Sequence, residues 1–81
     1  MLIEISAAQC RAARALLEWN QPKLATSAGL GLSTIVDFEK GRRALSAESI
    51  TAIRSALESA GAQFVEAGDV AEGSGVVLGR D

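Results

Sequence analysis

The sequence predicts a small, mainly α-helical domain of four helices with short β-strands towards its two ends. Three observations carry that expectation. Apolar residues recur at helical spacing in four separate windows, and three of these windows open on a side chain able to cap a helix, Ser6, Asn20 or Ser46. Glycines stand where three of the helices should stop, at Gly29, Gly41 and Gly61. The pattern then changes: Leu2 to Ile5, Gln63 to Glu66 and Val76 to Leu78 are short runs rich in β-branched and other apolar residues. At 81 residues the chain is one domain, near the lower limit for a self-sufficient core, so oligomerisation would add burial that the chain itself lacks.

Taken in order, Leu2 to Ile5 reads as a strand that Ser6 stops. Ser6 to Gln9 has capping-box spacing, with Ile5 and Cys10 flanking it as a hydrophobic staple. Ala13, Leu16 and Leu17 continue an amphipathic helix over about 7–19, with Arg11 and Glu18 facing water. Asn20 caps a second helix, about 21–28, and Pro22 falls in its first turn, where a missing amide costs nothing. Gly29 can take the left-handed conformation a sharp turn requires, and Ala25 is small enough for another helix to cross closely. A third helix, about 32–40, places Ile35 and Phe38 on one side and ends at Gly41. Two short helices joined by a tight glycine turn make a helix-turn-helix. Ser46 caps a fourth helix, about 47–60, with Glu48 in its first turn and Ile50, Ile53 and Leu57 as its buried stripe. Two strands separated by a loop rich in Gly and acidic residues, Gly68 to Gly75, complete the chain. The division is thus 1–62 for the helical domain and 63–81 for a C-terminal strand segment.

Composition argues against an enzyme. The chain has no histidine and no tyrosine, and its acidic residues lack metal-ligand spacing. Cys10 sits among alanines with no base beside it and reads as a packed core thiol; a single cysteine excludes an intrachain disulfide and suits a reducing compartment. Gly29-Leu30-Gly31 lacks the spacing of a phosphate cradle. No cofactor and no metal are expected, and no small-molecule ligand domain fits this length. With no long apolar run and no basic leader, the chain is expected in the cytoplasm, away from membranes. The formal charge of −2 is unevenly spread. Between residues 21 and 43, Lys23, Lys40, Arg42 and Arg43 outnumber Asp37 and Glu39, whereas six acidic residues face two arginines from 44 onward. A polar protein with one basic face follows, and Lys23, Lys40, Arg42 and Arg43 are the candidates for contacting a phosphate backbone. Gln21 joins them, because its amide and the free N–H groups at a helix start can hold an anion.

The stretches Arg14 to Ala25, Ala28 to Leu30 and Ser33 to Arg43 together resemble the Xre-type, or Cro and phage-repressor, helix-turn-helix family, over about residues 8–58. The resemblance implies a four-helix phage-repressor-like fold and a third helix that enters the major groove of double-stranded DNA. It implies backbone contacts from Lys40, Arg42 and Arg43 around the end of that helix. Ser33 and Thr34 lie in its first turn, Thr34 grouped with the phosphate contacts, although either could simply cap the helix. Arg14 and Glu39 match a charged pair that in similar repressors links the first helix to the end of the third. Trp19, Leu24, Leu30, Ile35 and Phe38 would form the core of the motif. The sequence also departs from the family: Leu32 and Val36 stand where relatives often carry polar residues, and Gly31 replaces the usual Ser or Thr cap. Base reading would then fall to Leu32, Ser33, Val36 and Asp37, with the apolar pair suited to thymine methyl groups and Asp37 to a cytosine amino group.

The expectation is a non-enzymatic transcriptional repressor of its own or a neighbouring operon, binding a short inverted-repeat operator as a homodimer. Phe64, Val65, Val76, Val77 and Leu78 are the expected dimer residues, since two isolated strands are marginal in water. They could pair with each other, with Leu2 to Ile5, or across a two-fold axis, and dimerisation through the fourth helix is the competing arrangement. The rival function is a protein-binding adaptor, an antiactivator or antitoxin, using the same fold and the apolar surface of the third helix.

Overall fold

A computed structural model describes residues 5–65 and 75–78, arranged as four helices followed by a two-stranded hairpin. The first helix, α1 (Ala7–Leu17), opens on a reciprocal capping box: Ser6 Oγ accepts from the Gln9 N–H at 3.0 Å, and Gln9 Oε1 accepts from the Ser6 N–H at 2.9 Å. In α2 (Gln21–Ala28), Asn20 Oδ1 accepts from the Lys23 N–H at 2.8 Å, with Pro22 in the first turn. No side chain caps α3 (Leu32–Glu39), whose cap position is Gly31. Ser46 caps α4 (Ala47–Ser59) through the Ser49 N–H at 3.1 Å. Each start lies where local side-chain chemistry satisfies an orphan amide, except that of α3, which tertiary packing must hold.

Helices α1, α2 and α3 end in one and the same way. Trp19 N–H donates to Arg14 C=O and Glu18 N–H to Ala15 C=O; Leu30 and Gly29 repeat the pattern on Ala25 and Thr26, and Arg42 and Gly41 on Asp37 and Phe38. This is the Schellman closure, which needs a left-handed residue just past the helix. Gly29 and Gly41 supply it with φ of 70° and 75°, but in α1 the residue is Glu18, at φ 59°. The first helix therefore stops at Leu17 rather than near Trp19. The third stops at Glu39 and the fourth at Ser59, one residue short of the expected ends.

The core collects one face of every helix: Cys10 and Ala13 from α1, Leu24 and Ala25 from α2, Ile35 and Phe38 from α3, and Ile50, Ile53 and Leu57 from α4, with Ile5 and Ala62 closing it. Ala25 is small and buried on the helix that packs against both α3 and α4, in keeping with a close crossing. Trp19 and Leu30 are only partly buried and pack against the edge of this core. Strands β1 (Ala62–Val65) and β2 (Gly75–Leu78) pair antiparallel, Phe64 opposite Val76 and Gln63 opposite Val77. Of the pairings open to these strands, the one seen is with each other. Alternation of faces then sends Phe64 and Val76 onto the core and leaves Gln63 and Val77 outward. The hairpin lies against α1, so it completes the helical domain instead of trailing from it. A strand at Leu2 to Ile5 falls mostly outside the described residues, as do positions 68–74 of the acidic loop; Ile5 itself is buried just before α1.

Candidate nucleic-acid interface

Helix α3 has two faces of different character. Ile35, Phe38 and Glu39 are buried, while Leu32 and Ser33 are exposed and Thr34, Val36 and Asp37 partly so. Residues at i, i+3 and i+4 share a helix face, so fixing Ile35, Phe38 and Glu39 inward presents Ser33 and Asp37 on the opposite side, while Leu32 and Val36 lie on the flank between the two, Leu32 exposed in the first turn and Val36 partly so. Lys40, Arg42 and Arg43 follow the helix and are all exposed.

Glu39 is the pivot of the inner face. It is only 2% exposed, and its carboxylate accepts from three residues on two other helices. Arg14 holds it in a fork, Nε to Oε2 and a terminal N–H to Oε1, both at 2.7 Å. Gln21 Nε2 donates to Oε1 at 3.0 Å, and the Cys10 thiol donates to Oε2 at 3.2 Å. The same arginine reaches the Trp19 carbonyl at 3.1 Å, tying the turn between α1 and α2 into the network. The burial cost of this charge is met by donors: no buried side-chain nitrogen or oxygen among the described residues lacks a partner.

The ionisation states follow from this geometry. Burial opposes the charge on Glu39, but hydrogen bonds from Arg14, Cys10 and Gln21 outweigh it and hold the carboxyl below the ordinary carboxylate range. Hydrogen bonding to Glu39 raises Arg14 against its own desolvation. Burial first, and then the hydrogen bond to Glu39 and its charge, push the Cys10 thiol far up. Cys10 is thus a fully buried, protonated donor, the opposite of an activated nucleophile.

The backbone of α3 is closed by a neighbour. Of its last four carbonyls, Val36, Asp37 and Phe38 accept from the amides of Lys40, Arg42 and Gly41, and Glu39 C=O accepts from the guanidinium of Arg11. Arg11 was expected simply to face water; its side chain is exposed, yet it spans from α1 to the end of α3.

Two of the phosphate candidates have other engagements. The Gln21 side chain was expected to offer its amide to DNA, but one of its N–H groups is committed to Glu39. With Pro22 lacking an N–H and the Lys23 N–H taken by Asn20, the backbone donor left at the start of α2 is the Gln21 amide. Lys23 Nζ lies over the Trp19 ring, 5.2 Å from its centroid, a cation–π placement that leaves the ammonium at the surface. Ser33 and Thr34 make no capping bond to α3. Among the expected dimer residues, Phe64 and Val76 are partly buried against their own core, Val77 is 46% exposed, and the side chains of Val65 and Leu78 lie outside the described part. The residues missed by sequence reasoning are Cys10 and Arg11. Cys10 stands four residues before Arg14 on the same helix face, so the pairing of Arg14 with Glu39 already implied that the thiol lay near the carboxylate.

A buried face that fixes one short helix, a free face on the other side and a basic end define a helix-turn-helix domain. The chain matches the helix-turn-helix family HTH_3 over residues 11–61, and it belongs to this Xre/Cro-like family. That is a family of DNA-binding regulators, not typically enzymes. A comparison with curated proteins returns no match. No helix among the described residues is long and apolar enough to cross a membrane, and none of their His, Cys, Asp and Glu side chains form a group of three able to hold a metal.

Proposed function

We propose that the chain is a homodimeric, sequence-specific repressor that inserts α3 into the major groove of double-stranded DNA, and that it acts in the cytoplasm on its own or a neighbouring operon. The observation that carries this reading is the division of α3: Glu39, Ile35 and Phe38 anchor it from within, while Leu32, Ser33, Val36 and Asp37 stand outward beside the exposed Lys40, Arg42 and Arg43. Bases are read by the outward set, and phosphates are held by Lys40, Arg42, Arg43, Thr34, Lys23 and the start of α2 at Gln21. Two protomers would set their recognition helices about 34 Å apart, so the operator is an inverted repeat of half-sites one turn apart. Footprinting on the chain's own upstream region tests symmetry and target together. A protected inverted repeat supports the reading; protein that shifts no duplex at low salt and selects no sequence from a random pool removes it.

For the dimer, the outward face of the hairpin is the better candidate than its inner face, because Phe64 and Val76 already cover the core whereas Val77 does not. Val77→Lys should give a folded monomer by sedimentation; an unchanged dimer moves the interface to the helices. One observation favours the adaptor reading instead: Leu32, at the start of α3, is 47% exposed, more than any other large apolar side chain described. A partner that protects Leu32 from solvent while operator DNA does not would establish it.

A further inference from the structure

We infer that Arg11, on α1, is a further phosphate ligand of the proposed DNA interface, extending its basic edge from the end of α3 onto a helix outside the helix-turn-helix pair. The inference rests on the DNA-binding reading and adds to it a residue read from sequence as merely solvated.

Three observations converge on it. The side chain is exposed, so its charge is open to a ligand. Its tip is nevertheless fixed in place, because the guanidinium donates to the Glu39 carbonyl, the last carbonyl of α3. That contact spends one N–H of five and leaves the rest of the fork for an oxygen acceptor. The charge therefore stands at the C-terminal end of α3, on the carbonyl of the residue that precedes Lys40, with Arg42 and Arg43 following, and all four basic side chains are exposed.

Glu39 also locates Arg11 relative to α2. Its carboxylate holds the Gln21 side chain and its carbonyl holds Arg11, so the start of α2 and the tip of Arg11 flank a single residue. Other cations are less well placed. Arg54 is paired with Glu58 at 3.0 Å and stacked over Phe64, and Arg14 is spent on Glu39 and Trp19. A guanidinium anchored by one N–H before the ligand arrives has less side-chain freedom to lose on binding than a free lysine.

A cap on α3 and a phosphate ligand make different demands on the side chain. The cap needs an N–H donor; the phosphate needs a positive charge. Arg11→Gln keeps a donor and removes the charge, and Arg11→Lys keeps the charge. Binding of the full chain to a labelled, mixed-sequence duplex is measured across a salt series, with circular dichroism confirming the fold of each variant. We expect Arg11→Gln to lower the magnitude of the log K against log salt slope by about 0.9 per bound protomer and Arg11→Lys to preserve it. Arg43→Ala, from the set already assigned to phosphates, is the benchmark for a loss of that size. A slope unchanged in Arg11→Gln while Arg43→Ala lowers it overturns the inference and leaves Arg11 as a helix cap. A wild-type chain with no salt-dependent binding instead brings down the DNA reading itself, which separates the two failures.

Discussion

The two faces of α3 are built on opposite principles. On the inner face every polar atom is assigned: Glu39 takes donors from Arg14, Gln21 and Cys10, and Ile35 is fully buried between neighbouring helices. On the outer face and its flank Leu32, Ser33, Val36 and Asp37 make no side-chain hydrogen bond or ion pair among the described contacts. The lesson is a division of labour within eight residues: one face fixes where the helix points, and the other is left free to choose what it meets. Changes inside should therefore alter stability and leave sequence preference alone, while changes outside should do the reverse.

The hardest test falls on the ion pair. Arg14→Ala strands Glu39, which is 2% exposed, and removes two of its charge-assisted bonds, so a loss of about 3–5 kcal/mol is expected in urea unfolding. For a domain this small that is a large share of the total. Whatever fraction remains folded should select the same operator sequence as the wild type. A changed sequence logo would mean that the inner face reads DNA through the tilt of α3, and the division would fail.

Acid probes the same pair without altering the chain. The folded-state pKa of Glu39 is depressed below its unfolded value, so its contribution is fully present above the ordinary carboxylate range and is lost as pH falls through the lower, folded pKa. Glu39→Gln removes that component. The stability gap between wild type and Glu39→Gln should accordingly be widest near neutral pH and close steadily below about pH 4. A gap that is constant or widens in acid would show that Glu39 is not held as an anion. Cys10 contributes no opposing step there, since its raised pKa keeps the thiol protonated throughout.

On the outer face the expected sizes are smaller and of another kind. Asp37→Ala should leave the urea midpoint within about 0.5 kcal/mol of wild type, because the side chain is half-buried at most and holds nothing. It should relax the preference at one position of each half-site by about 1–3 kcal/mol, read from a binding-site selection. An identical logo for both proteins would remove Asp37 from the reading set.

What could be read from the chain before folding follows the range of the interactions. Ser6 with Gln9, Asn20 with Pro22, and Ser46 with Glu48 lie within four residues of one another, and each placed a helix start correctly. Gly29 and Gly41 placed two ends for the same reason. The convergence on Glu39 joins residues 18 to 29 apart, and there local pattern is silent: Arg14 was assigned to Glu39 through family likeness alone, whereas Cys10, Arg11 and the Gln21 amide were not. The packing of the hairpin on α1 was missed on similar grounds, because a strand's period of two shows which residues share a face but not which surface covers them.

Glu18 faces water as expected, but it lies past the end of α1 rather than in its last turn, and it supplies the smallest and cleanest prediction. No local signal marks a glutamate as the left-handed residue of a Schellman closure, yet Glu18 has φ 59°, close to the 70° of Gly29 and the 75° of Gly41 that close α2 and α3. A side chain with Cβ costs about 1–2 kcal/mol in this conformation, and the Glu18 side chain offsets none of it through a hydrogen bond or ion pair among the described contacts. Glycine would remove that strain, though it would also give the unfolded chain more freedom, which returns part of the gain. Glu18→Gly should therefore stabilise the fold by about 0.5–1 kcal/mol, seen as a higher urea midpoint with an unchanged slope. Because the change lies on the scaffold side of the division, operator choice should not move. A destabilised variant would mean that Glu18 does structural work through its side chain. A stabilised variant with altered preference would show that the turn after α1 is coupled to the outer face of α3, through the Arg14 contact with Trp19, and the two faces would no longer count as independent.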